Sequence, residues 1–193
     1  MFDGATSFNQ DLDDWNVSNV LEIDRIFQGA TSFNGNISTW DTSSAYDMES
    51  MFQDAITFNQ DLSGWNVSNV TNMVAMFQGA SSFNQNLSSW DVSNVADMSR
   101  MFKDATSFDG NINDWNTSAV TDMGYMFQGA TSFNQDLDEW DVSEALSMSY
   151  MFSDATAFNG NISTWNPQYV TDMIGMFEGA TSFNQPLNSW NVS

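Results

Sequence analysis

The chain has 193 residues and a formal charge of −22, with three basic residues, no histidine and no cysteine. That inventory excludes imidazole acid–base chemistry, thiolate nucleophiles, zinc sites built on Cys or His, and disulfide frameworks. The cations Arg25, Arg100 and Lys103 are too few to neutralise a run of phosphates or to hold an anionic lipid surface, whereas 41% hydrophobic residues suffice for a packed core.

The elements recur every twenty-five residues without insertion or deletion. Counting positions within the unit from Met1, position 2 is Phe from Phe2 to Phe177 and position 8 is Phe from Phe8 to Phe183. Position 15 is Trp from Trp15 to Trp190, and position 5 is Ala from Ala5 to Ala180. These series account for all sixteen Phe and all eight Trp, and the thirteen Met fall at positions 1 and 23, with Ile26 and Ile23 as substitutes.

In chain order, the alternation at W-x-V (Trp15 to Val17) predicts a short parallel strand. Ser18 reads as an N-cap, and the spacing of Val20, Ile23, Ile26 and Phe27 predicts a short helical or 3₁₀ return. Gly29, or Asp54, Asp104 and Asp154 at the same position, would end that return. One unit cannot bury two Phe, a Trp and two Met by itself, so the units are expected to stack into a solenoid with strands about 4.8 Å apart. The Ala column leaves room for aromatic neighbours. Residues 1–193 then form a single solenoid of about eight coils, seven full repeats and one partial, read as a segment of a longer chain with uncapped ends.

Polar positions carry a second pattern. Position 16 runs Asn16, Asp41, Asn66, Asp91, Asn116, Asp141, Asn166, Asn191, with no two acids adjacent. Positions 4 and 11 also keep Asp apart, as expected if like charges repel across neighbouring coils, whereas positions 14 and 22 do not. Where position 10 is Gly (Gly35, Gly110, Gly160) position 12 is Ile, and where it is Gln position 12 is Leu, which points to two local turns. Pro167 falls in the strand column and is expected to cost a ladder hydrogen bond.

The stretches FNQDLSGWNVSNVTNMVAMF (58–77) and SFNQNLSSWDVSNVADMSRMF (82–102) resemble the BspA-like leucine-rich-repeat surface proteins, whose DUF285-type repeat has about twenty-five residues. The resemblance spans essentially the whole chain. It implies an extracellular or cell-surface, leucine-rich-repeat-like module for adhesion or recognition, with no catalytic motif to carry over.

The residues themselves support a non-catalytic reading. Asp11, Asp13 and Asp14 cluster, but a repeat-encoded calcium site should recur and their equivalents are largely Ser, Thr or Gly, so no cofactor is expected. Asp138, Glu139 and Asp141 could supply a carboxylate pair, but nothing marks a cleft that would raise one of their pKa values. The expected binding face is polar: Asn16, Asp41, Asn66, Asp91, Asn116, Asp141 and Asn166, flanked by positions 14 and 18. Its partner would be a protein or glycan surface, with no nucleic acid and no membrane insertion. Off the repeated columns, Tyr46, Tyr125, Tyr150 and Tyr169 offer further anchors.

In a eukaryotic secretory pathway the sequons at Asn16, Asn36, Asn66, Asn69, Asn86, Asn116, Asn161 and Asn191 would accept glycans; otherwise N-V-S belongs to a turn. Two alternatives remain open at this level. One is self-assembly through the solenoid ends into a fibre or coat. The other is ice binding by the position-6 row of Thr6, Thr31, Thr106, Thr131, Thr156 and Thr181.

Overall fold

The stacking of units is set by backbone groups that a single unit cannot satisfy. In the computed structural model, which describes residues 1–192, position 22 of each unit bridges the same position of the next in parallel, from Glu22 with Asp47 through to Ser147 with Asp172. Around this bridge, N–H groups at positions 23, 25, 2 and 4 donate to carbonyls of the following unit. Along residues 23–29 they run from Ile23 to Asp47 (3.1 Å), Arg25 to Glu49 (2.9 Å), Phe27 to Met51 (3.0 Å) and Gly29 to Gln53 (2.7 Å). Equivalent residues therefore lie one above the next.

The strand expected at W-x-V is absent. Trp15–Val17 and its equivalents bridge nothing, and the bridges among the described residues all lie at position 22. The cause is local: Asn16 Oδ1 accepts the Ser18 N–H at 3.1 Å, bending the chain where a ladder would run straight. Ser18 is thus the partner of an Asx turn and not a helix cap. Pro167 breaks no ladder, since its carbonyl accepts from Val170 N–H as that of Val17 accepts from Val20.

The helical return is absent as well; the described residues contain no helix. Alternate N–H groups in this segment are given to the next unit, which leaves isolated three-residue turns such as Met51 N–H to the Met48 carbonyl (3.3 Å). Positive φ recurs at position 25 from Arg25 to Gly175 and at position 4 from Gly4 to Gly179, and a right-handed helix cannot pass through either.

Within each unit two consecutive turns share the position-5 alanine. Ala30 N–H donates to Phe27 O and its carbonyl accepts from Phe33 N–H, so the two rings stack at 3.9 Å. Between units, position-2 rings repeat at 5.5–5.7 Å (Phe52–Phe77, Phe102–Phe127) and Trp rings at 5.9–6.4 Å (Trp165–Trp190, Trp90–Trp115). These columns are buried through the middle of the chain, together with Met, Leu, Ile and Val of the same units. Full burial of one such side chain stabilises the fold by about 1.5–3 kcal/mol. The indole donors are satisfied: Trp90 Nε1 donates to Leu62 O at 2.9 Å and Trp115 Nε1 to Leu87 O at 2.9 Å. The two buried threonines at position 17 do likewise, Thr42 and Thr117 donating at 2.8 Å to Asn66 O and Asp141 O.

The spacing of acids at position 4 has a steric cause that the charge argument overlooks. Asp54 adopts a φ of 58°, and its Oδ1 lies 2.3 Å from where a Cβ on Gly79 would stand. Asp104 and Asp154 press on Gly129 and Gly179 in the same way. A Cβ in the next unit would force the Asp side chain to move, and Gly at that place spares it the shift. The two turns expected at position 10 are equally physical. Gln60, Gln85, Gln135 and Gln185 reach back through Nε2 to the position-9 carbonyl of the preceding unit. At Gly35, Gly110 and Gly160 a Cβ would meet the carbonyl oxygen of Gln10, Gln85 or Gln135 at 2.0–2.1 Å.

Candidate functional site

The position-16 residues lie on the exposed face, and each is fixed by its own turn. Asn16, Asp41, Asn66, Asp91, Asn116 and Asp141 each turn Oδ1 onto the N–H of the Ser two residues on, at 2.9–3.2 Å. Ser18, Ser43, Ser68 and Ser118 add their hydroxyls to the same oxygen. One side-chain atom is thereby anchored, and the other remains on the exposed surface as an amide donor (Asn) or a carboxylate acceptor (Asp). Asn166 is exposed in the same row, with Pro167 and Gln168 in place of V-S. The Ser43 and Ser93 hydrogen bonds, hydroxyl first and then backbone, hold Asp41 and Asp91 below the ordinary aspartate range. Asp61 is held low by the Ser63 backbone and then its hydroxyl.

The sequons have the same geometry. Beyond Asn16, Asn66 and Asn116, Oδ1 of Asn36, Asn86 and Asn161 accepts the N–H of Ser38, Ser88 and Ser163. Asn69 instead donates Nδ2 to Ser43 O at 2.7 Å. In these units Asn-x-Ser is a turn motif. Asn191 is exposed, and its sequon partner Ser193 lies outside the described residues.

A row that sequence reasoning missed runs parallel to this face. Position 9 forms a side-chain ladder: Oδ1 of Asn9 accepts Asn34 N–H, and the pattern continues through Asn34, Asn59, Asn84, Asp109, Asn134 and Asn159 to Asn184 at 2.7–2.9 Å. The signal was present, because a polar position that is Asn or Asp in every unit has no reason to be uniform on a freely solvated surface.

The other candidates resolve unevenly. Thr31, Thr106, Thr131, Thr156 and Thr181 direct Oγ1 at the preceding position-6 carbonyl at 3.3–3.5 Å, so these hydroxyls are engaged with the backbone. Asp11 Oδ1 is taken by Asn36 N–H, and among the described residues no cluster of three acids converges to hold a metal ion. Tyr46 is exposed and donates to Glu22, which raises its pKa, and Tyr169 is exposed. Tyr125 and Tyr150 stack on one another at 5.2 Å, with Arg100 and Lys103 over the first ring. At the first unit a cavity of about 330 Å³ is lined by Met1, Trp15, Val17, Val20, Ile23 and Ile26. In the middle units the equivalent apolar surface is buried, as at Trp65, Val67, Val70 and Met73.

The sequence profile of the family described as "Mycoplasma protein of unknown function, DUF285" matches residues 1–115 and 96–193, which together span the chain. No curated protein matches it.

Proposed function

Because the chain belongs to this DUF285 family of Mycoplasma proteins of unknown function, we propose that it is a non-catalytic recognition or adhesion module displayed outside the cell or on its surface. In this reading the stacked units form a leucine-rich-repeat-like solenoid, and the partner is a protein or a glycan surface. The observation that carries the proposal is the anchored position-16 row. Its side chains are exposed yet already oriented, so binding costs little further ordering, and alternating donors and acceptors from Asn16 to Asp141 match an extended polar partner. Replacing Asp41, Asp91 and Asp141 together by Asn keeps the turn acceptor and removes the outward carboxylates. Binding of this variant to cells or matrix should fall while its thermal unfolding stays near that of the parent; unchanged binding would place the partner elsewhere.

A second reading is end-to-end assembly. It rests on apolar surface exposed in the first and last described units, where Met1 is 83%, Trp15 41% and Val192 70% exposed. Sedimentation that reports a monomer at all protein concentrations would rule it out.

A further inference from the structure

The stack contains an internal template for a site it does not complete. Arg25 and Arg100 share position 25, with φ of 53° and 60°, and each backbone N–H donates at 2.9 Å to the position-24 carbonyl of the next unit. At Arg25 that position is Glu49, whose carboxylate pairs with the guanidinium and raises its pKa. At Arg100 it is Gly124. The backbone is the same and the carboxylate is missing.

What surrounds Gly124 suits an acid. A Cβ there would lie 3.0 Å from Asp122 Oδ1 and 3.3 Å from both Ser147 Oγ and Ser149 Oγ. Asp122 is also close, but its Oδ1 is occupied by Gly124 N–H at 2.8 Å, as that of Asp47 is by Glu49 N–H at 2.9 Å. An acid at position 22 is therefore compatible with a carboxylate at position 24. Lys103 adds a second cation, 5.7 Å from the Tyr125 ring centre, with the Arg100 guanidinium at 5.2 Å. Among the described residues neither cation forms an ion pair, in a chain with twenty-five acids.

We propose that Arg100 and Lys103 receive a glutamate or aspartate side chain of a partner protein, at the place Glu49 fills for Arg25. A sugar acid is disfavoured because the aromatic faces it would stack upon are engaged. Tyr125 carries the two cations and Tyr150, and the Tyr150 ring lies where a Cβ on Gly175 would stand, 2.4 Å from Cε1. A polyanion such as a nucleic acid meets two cations in a field of −22 and is repelled. The site is separate from the position-16 row and stands or falls independently of it.

The test is a titration of isotopically labelled protein followed by NMR at the Arg Nε–H groups and the Tyr125 amide, at about 20 mM salt so that screening is small. The probes are the capped pentapeptide Gly-Ser-Glu-Ser-Gly, its glutamine analogue, and glucuronate. The glutamate peptide should shift Arg100 and Tyr125 and leave Arg25 still. Because the bond is charge-assisted, the response should fall at least about fivefold with the glutamine peptide, in Arg100→Gln, and in Gly124→Glu, where the new side chain takes the partner's place. Amide spectra remote from the site report folding of each variant. Equal shifts from the glutamine peptide, an unchanged response in a folded Arg100→Gln protein, or a larger response to glucuronate would each overturn the assignment.

Discussion

The aromatic interior and the asparagine rim join the same units by opposite means. Inside, side chain meets side chain: Phe77 stacks on Phe102 at 5.6 Å and Trp90 on Trp115 at 6.4 Å. On the rim, side chain meets backbone: Asn59 Oδ1 takes Asn84 N–H and Asn84 Oδ1 takes Asp109 N–H. The interior removes a large apolar area from water, but stacked rings tolerate small slips with little loss. A carboxamide that accepts a single N–H does not. Cohesion is thus a property of the core, and the rim reinforces the alignment that the backbone ladder at position 22 sets.

The comparison is broken most sharply in the interior. Trp90→Ala should cost about 3–5 kcal/mol in chemical denaturation, because it removes a buried indole and one of the two donors to the Leu62 carbonyl, which keeps the Trp65 N–H. Trp15→Ala should cost less than half of that, since its ring is 41% exposed. Equal losses would mean that burial does not set the scale.

Close backbone approach comes next. Gly110→Ala brings Cβ within 2.1 Å of Gln85 O and should destabilise by about 1–3 kcal/mol, whereas Gly64→Ala, whose nearest neighbour is 3.8 Å away, should stay within about 0.5 kcal/mol of the parent. On the rim, Asn84→Ala removes one exposed acceptor and should cost about 1 kcal/mol. Its signature is faster hydrogen exchange at the Asp109 amide, with the ring contacts of Phe77 and Phe102 unaltered.

The smallest effect is electrostatic. Asp41, Asp61 and Asp91 have folded pKa values below their unfolded ones, so their stabilisation is complete above about pH 4 and is lost as pH falls through the lowered values. Asp→Asn at these three positions should lower stability slightly at neutral pH, where the ionised carboxylates contribute, and converge on the parent in acid, so that the acid limb of a denaturation-versus-pH curve flattens. The same acid limb in the substituted protein would assign it to other carboxylates.

Much of this architecture is legible in the sequence, and the illegible part has a common cause. Period, stacking direction and core columns follow from Phe, Trp, Met and Ala spacing, because apolar burial writes itself into residue type. The bridge at position 22 does not, because which N–H groups are free depends on a partner twenty-five residues away. W-x-V alternates like a strand yet bends, since Asn16 competes for the Ser18 N–H. Position 25 carries positive φ on Arg, Ser, Ala and Tyr, residue types that give no sign of it. The position-16 face was visible as a polar row, but its anchoring depends on pairing Asn or Asp with Ser two residues later. The Arg100 cluster is not legible in the sequence, because its meaning lies in what Gly124 lacks relative to Glu49.

The Asp–Gly contact at position 4 also constrains how such a chain can grow or shrink. Loss of the unit 76–100 would set Asp54 directly beneath Asp104, driving a carboxylate into the Cβ of the residue above it. Loss of two adjacent units, 76–125, would set Asp54 beneath Gly129 and restore the contact seen at Gly79. Length changes in even steps are therefore sterically neutral at this position, and odd ones that begin after an Asp unit are not. A single twenty-five-residue unit can be lost without this contact only where a Gly unit precedes the cut, as where loss of 51–75 would set Gly29 beneath Gly79.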